Sequence, residues 1–168
     1  ELRGIITVLN TPFTDSDAVD LESVERHVRY ALDAGVHGFL VPAMAAEVAK
    51  LSLVERGEVL ATVLATAGGR RPIVAGVYSD DASTRIRLAE EYTRMGASAV
   101  LVSIPFTTED DYVRQVREVS RAGVRVLMVQ DWSPNDYGVP VSVFERLVEE
   151  VPAFRSVKIE VASSGTKY

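Results

Sequence analysis

The 168-residue sequence predicts an α/β fold built on a parallel sheet. Three observations carry that prediction. Short β-branched apolar runs alternate with longer amphipathic stretches along the whole chain. Each run is continuously apolar, the pattern of strands covered on both faces. The stretches between runs carry helix start and stop residues at regular intervals.

The first strand is placed at 4–9, from Ile5-Ile6-Thr7-Val8-Leu9, and Asp20 is read as the cap of a helix over 21–34 that stops at Gly35. Gly38-Phe39-Leu40-Val41 gives a strand at 38–42. Ser52-Leu53-Val54-Glu55 has capping-box spacing and opens a helix over 53–67, ended by Gly68. Ile73-Val74-Ala75-Gly76-Val77 predicts a strand at 72–77, followed by a helix over 84–95 with Ser83 as cap and Gly96 as stop. A strand at 99–103 and a helix over 109–122 follow, the helix capped by Thr108, opened by the acidic run Glu109-Asp110-Asp111 and closed by Gly123. The fifth strand is read at 124–129. A second capping-box spacing, Ser142-Val143-Phe144-Glu145, opens a helix over 143–150, and the last strand runs over 154–159. Ala34-Gly35-Val36, Met95-Gly96-Ala97 and Ala122-Gly123-Val124 introduce strands in similar words, as a repeated helix-plus-strand unit requires.

Six strands alternating with five helices suit either an open doubly wound sheet or a (β/α)8 TIM barrel. No Gly-x-Gly-x-x-Gly follows the first strand, where a dinucleotide-binding sheet carries it. The barrel is favoured. Such a barrel needs about 250 residues, so residues 1–168 are expected to form a single incomplete barrel domain with about six of eight units.

Composition narrows the chemistry. Net charge is −6 with pI near 5.0, against the basic face that nucleic-acid binding requires. The apolar runs are far shorter than a membrane span, and the sequence does not open on a charged-then-apolar leader, so a cytoplasmic domain is expected. Cysteine is absent, which removes disulfides and thiolate nucleophiles. His27 and His37 are the only imidazoles, so no multi-histidine metal site is expected, and His37 precedes a strand, on the stability face of a barrel. Carboxylates, hydroxyls, lysine and arginine remain.

Lysine is scarce: Lys50, Lys158 and Lys167 stand beside fifteen arginines. Only Lys158 sits within an apolar strand, Ser156-Val157-Lys158-Ile159. Burial favours the neutral amine, the form that attacks a carbonyl to give a Schiff base. The alternative is a lysine that snorkels to solvent or pairs with a carboxylate. Glu160 shares its face if the strand continues, as ion-pair partner or proton-transfer group. Tyr78 and Asp131 follow the third and fifth strands, where barrel sites lie, although loop residues are abundant there.

These residues resemble the dihydrodipicolinate synthase / N-acetylneuraminate lyase family of Schiff-base barrels. The resemblance runs through Asn10-Thr11-Pro12-Phe13, Ala34-Gly35-Val36-His37-Gly38, Glu47 with Leu51-Ser52 and Glu55-Arg56, Pro72-Ile73-Val74-Ala75-Gly76-Val77, and Val157-Lys158. It implies that Lys158 forms an imine with a 2-oxo acid, that no metal or organic cofactor is needed, and that the protein is a homodimer or homotetramer.

Departures from the family pattern are equally specific. The carboxylate-holding Gly-Thr-Thr-Gly-Glu reads Ala43-Met44-Ala45-Ala46-Glu47, so Met44 and Ala45 stand in the substrate-binding positions without hydroxyls. The family's proton-relay tyrosine falls on Val129 and the following asparagine on Gln130. Lys-Glu-Ala-Ser reads Lys158-Ile159-Glu160-Val161-Ala162-Ser163, and the Ile104-Pro105-Phe106-Thr107-Thr108 loop is shorter than usual. The expectation is therefore a divergent aldolase or dehydratase acting on a 2-oxo acid, such as a 2-oxo sugar acid. Lys158 and Glu160 are the catalytic residues of this reading, and Met44, Ala45, Val129 and Asp131 lie against substrate. A non-catalytic, metabolite-binding relative is the alternative.

Overall fold

A computed structural model describes residues 2–133, 137–162 and 164–168. Its elements are β1 (Ile6–Val8), α1 (Leu21–Asp33), β2 (Gly38–Leu40), a 3-10 turn (Met44–Ala46), α2 (Leu53–Ala67), β3 (Ile73–Val77), α3 (Ala82–Met95), β4 (Ala99–Val102), α4 (Glu109–Ser120), β5 (Leu127–Ser133), α5 (Val141–Glu150), β6 (Phe154–Val161) and α6 (Ser164–Lys167). The six strands are parallel and lie in sequence order, forming a curled half-barrel.

β2, β3 and β4 are buried on both faces, which is why they read as unbroken apolar runs, whereas β1 and β6 at the sheet edges are only partly covered. Phe39, Val41, Ala75, Val77, Val100, Val102, Leu127 and Val129 pack against helix residues such as Val28, Leu60, Leu88, Val116 and Leu147. The opposite, concave face gathers Leu40, Val74, Ala99 and Leu101, with Ile6, Val8, Val126 and Met128 against them. Gly76 is required where β3 passes the end of β2: a Cβ there would lie 1.9 Å from the Pro42 carbonyl oxygen.

Helix signals act largely as the sequence implies. Asp20 accepts from the Ser23 amide at 2.9 Å, and Thr108 accepts from the Asp111 amide at 3.3 Å. Ser52 and Glu55 close a full capping box. Gly35, Gly68, Gly96 and Gly123 all take positive φ just beyond their helices. His37 has a structural role at the bottom of the sheet, accepting from the Ile5 amide at 3.1 Å.

Three expectations require correction. Asp81, not Ser83, caps α3: its carboxylate accepts from the Thr84 amide at 2.7 Å and from the Ser83 hydroxyl at 2.6 Å. The capping box at 142–145 does not form, because α5 already starts at Val141 behind Pro140 and leaves Ser142 inside the first turn. Ser142 instead donates to Glu109 at 2.7 Å. The fifth strand runs over Leu127–Ser133 rather than 124–129. Its apolar run ends at Val129, but the backbone ladder to β6 continues through Gln130 and Asp131, both buried and hydrogen-bonded. A polar residue with a partner continues a strand that hydropathy alone ends.

Candidate active site

Backbone register brings the site together. In the β5–β6 ladder Gln130 is the partner of Lys158 and Trp132 the partner of Glu160, so these four residues share one face. Met128 precedes them on that face and belongs to the concave cluster. Lys158 therefore stands on the inner surface of the half-barrel toward the carboxyl ends of the strands, with its side chain 19% exposed.

The Lys158 ammonium lies 2.5 Å from Oε2 of Glu160, whose side chain is 40% exposed. The Gln130 amide, almost wholly buried, donates to the same carboxylate oxygen. That amide also lies 3.4 Å from Sδ of Met44, which links the cluster to the turn after β2. Thr11 fixes this turn by donating to the Ala46 carbonyl at 2.8 Å. Glu47 leaves it with φ 55° and pairs with Lys50 at 2.6 Å.

A cleft of about 760 Å³ opens over the carboxyl ends of β2 to β5; of this cluster Met44, Gln130 and Trp132 line it, and Lys158 and Glu160 do not. Met44, Tyr78, Ser103, Phe106, Gln130 and Trp132 are among its lining residues. Two arginines build its β3 wall. Arg56 donates to the Tyr78 carbonyl at 2.7 Å, with its guanidinium over the Tyr78 ring, and Arg85 donates to the Ser79 carbonyl at 2.6 Å. Satisfying these backbone acceptors with buried guanidinium groups fixes a loop that no strand holds. Burial pushes the Arg85 side chain below its ordinary value.

Two of the residues expected against substrate lie elsewhere. Val129 is fully buried in the layer between sheet and helices, and Asp131 shares its parity. Alternation along β5 explains the difference: Val129 and Asp131 have the parity of Leu127 and face the helices, while Gln130 and Trp132 face inward. Met44 does line the cleft, whereas Ala45, in the same turn, is exposed and not among the lining residues. Tyr78 lines the cleft as its position after β3 implies.

Asp131 instead forms a second ionic centre behind the sheet. Its carboxylate takes the Lys167 ammonium at 2.5 Å, the Val139 amide at 2.8 Å and the Tyr168 hydroxyl at 2.9 Å. Both charged side chains are wholly buried. The Lys167 ammonium also donates to the Tyr137 carbonyl at 2.8 Å and lies 4.6 to 5.6 Å from the rings of Tyr137, Tyr168 and Phe144. Burial and the neighbouring Asp131 charge both push the Tyr168 hydroxyl up, so it stays a donor. Gly138, at φ 78°, is needed here, since a Cβ would lie 2.3 Å from Oδ1 of Asp131.

The sequence carried no signal for Lys167, which follows a polar Ser-Gly-Thr stretch. Gln130 was discoverable only by letting β5 run past its apolar stretch. Ser163 lies outside the described residues. Among the described residues no cluster of three His, Asp or Glu is placed to hold a metal, and no helix is long and apolar enough to cross a membrane.

Residues 1–119 match the model of the dihydrodipicolinate synthetase family. The chain belongs to this family. Among curated members, an uncharacterized DapA-like lyase of Pyrobaculum aerophilum is 29% identical over 162 residues, covering 94% of this chain and 54% of its own length. A 4-hydroxy-tetrahydrodipicolinate synthase of Methylobacterium radiotolerans is 36% identical over 105 residues, covering 62% of this chain and 35% of its own. The dihydrodipicolinate synthase of Aquifex aeolicus superposes with a TM-score of 0.88 at 20% identity, over 98% of this chain and 57% of that one, a likeness of fold. The chain spans about half the length of the curated relatives it matches. Lys158 lies beyond the 119 residues that the dihydrodipicolinate synthetase model covers, so its place rests on the β5–β6 register.

Proposed function

We propose that the complete protein is a lyase of this family, an aldolase or dehydratase that binds a 2-oxo acid as a Schiff base on Lys158. The observation that carries the reading is the place of Lys158 on the inward face of β6, opposite Gln130 and toward the carboxyl ends of the strands, with Glu160 2.5 Å from its ammonium. A carboxylate at that distance can take the ammonium proton and release the neutral amine that attacks the C2 carbonyl. The attacking nitrogen passes a proton to the carbinolamine oxygen, and hydroxide then leaves as water with the proton held by Glu160, giving an iminium that accepts electrons from the bond to C3. The cleft beside Gln130 and Trp132 has room for the rest of the substrate. The same reading takes the remaining barrel units, closing eight, from chain beyond these residues, and takes the protein to be a cytoplasmic homodimer or homotetramer.

A second reading has its own observations. Lys158 is already paired with a carboxylate, and Met44 and Ala45 offer no side-chain donors to a substrate carboxylate. These features suit a non-catalytic barrel that binds a metabolite. Borohydride reduction of the full-length protein with a panel of 2-oxo acids, read by mass spectrometry, separates the two. The lyase gives an adduct mapped to Lys158 and absent in Lys158→Ala; a folded protein that gives none with any of the panel is the non-catalytic relative.

A further inference from the structure

We infer that Gln130 is a positioning residue that holds the Glu160 carboxylate beside C3 of the Lys158-bound 2-oxo acid. The inference rests on the Schiff-base reading and deepens it. Glu160 is tied at a single oxygen by two donors of different kinds, the Lys158 ammonium and the Gln130 amide. The lysine tie changes during the reaction. An ammonium offers three N–H donors and a full charge, whereas the iminium keeps one N–H, and the enamine that follows keeps one N–H without charge. As the lysine tie weakens, a flexible and partly exposed glutamate is free to swing into solvent.

The Gln130 amide does not titrate and takes no part in bond making, so its hold on Glu160 is the same at every stage. Its own position is fixed by near-complete burial, by the β5–β6 register opposite Lys158 and by the contact with Met44. The step it serves is balanced within the site. The Glu160 carboxylate removes a proton from C3 of the iminium, the C–H electron pair becomes the C2–C3 double bond, and the C=N pair moves to nitrogen. Returning the proton to C3 reverses the step.

The test uses the full-length protein and two readouts with pyruvate, 2-oxobutanoate and a 3-deoxy-2-oxo sugar acid. One is borohydride trapping on Lys158, followed by mass spectrometry. The other is exchange of C3 hydrogens for deuterium in heavy water, followed by proton NMR. Gln130→Leu is expected to trap as the unsubstituted protein does at saturating 2-oxo acid, yet to exchange ten- to a hundredfold more slowly, since misplacing a reacting group by about 1 Å costs up to about a hundredfold. Gln130→Asn, which keeps the amide but shortens its reach, is expected to lose at least tenfold and remains informative if the leucine variant does not fold. Gln130→His, with an N–H donor of similar reach, is expected to recover most of the exchange rate. Undiminished exchange in both Gln130→Leu and Gln130→Asn overturns the inference, as does a parallel fall in trapping and exchange, the mark of a purely structural residue. Absence of any adduct in the unsubstituted protein rejects the Schiff-base reading itself, and this inference with it.

Discussion

Lys167→Met is the sharpest perturbation of the fold. It removes the ammonium from a carboxylate that has no contact with solvent and keeps the chain length nearly unchanged. Asp131 would retain the Val139 amide and the Tyr168 hydroxyl, two neutral donors, against a full buried charge. Removing one partner of a buried pair costs about 3–5 kcal/mol. In a domain of this size that corresponds to a fall in Tm of roughly 6–20 °C. Asp131→Asn is expected to cost less, because the Lys167 ammonium keeps the Tyr137 carbonyl and three aromatic rings around it. Most of the single-site cost comes from stranding a charge, so the double variant Asp131→Asn/Lys167→Met should be more stable than Lys167→Met alone. The assay is urea unfolding of the four full-length proteins by circular dichroism, with a common m value as the check on two-state behaviour. A cost below about 1 kcal/mol for Lys167→Met, or a double variant at the sum of the singles, would falsify the description of a dry, mutually compensating pair.

Three further outcomes follow from other parts of the molecule. Met44→Thr puts a hydroxyl in the turn after β2 where it lines the cleft; a hydrogen bond donated to a substrate carboxylate, worth about 1.5–3 kcal/mol, should tighten pyruvate at least about tenfold by calorimetry, and unchanged affinity would show that this turn does not meet the carboxylate. The Asp81 carboxyl is held down to about 2 by the hydroxyls of Ser83 and Thr84 and by the Thr84 amide, from an ordinary 3.8. Its contribution to stability is thus complete above about pH 4 and is lost as pH falls toward 2, so the gap in Tm between the unsubstituted protein and Asp81→Ala should close over that interval and stay constant from pH 5 to 7. Burial pushes the Tyr92 hydroxyl up to about 12, while the unfolded chain releases that proton near 10. Stability should therefore decline as pH rises from 10 to 12, and Tyr92→Phe should flatten that part of the profile; an identical alkaline slope in the two proteins would contradict the assigned burial.

Much of the fold is legible along the chain because its signals are local. A capping carboxylate meets amides within its own first turn, as Asp20 does, and a stop glycine needs only its own φ, as Gly96 shows. Strands covered on both faces advertise themselves as apolar runs wherever their partners lie. The local signals fail where a residue's partner is distant in sequence. Gln130 and Asp131 look like the end of a strand until Glu160 and Lys167 are brought across to them. Ser142 looks like a cap until Glu109, 33 residues earlier in the chain, takes its hydroxyl.

Residue type and spacing were enough for the alternation of strand and helix and for the isolation of Lys158 in an apolar strand, while the missing hydroxyls at Met44 and Ala45 were read from the family resemblance. Which residues meet was decided by tertiary structure. Side chains alternate faces along a strand, so one residue of register separates the concave surface from the helix layer. The family resemblance put the relay position at Val129; the β5–β6 ladder turns Val129 and Asp131 toward the helices and presents Gln130 beside Lys158 and Glu160. Lys167, polar in its local context, became the most buried lysine of the three because Asp131 and three aromatic rings, 23 to 36 residues away or adjacent to it, converge on its ammonium only in the folded chain.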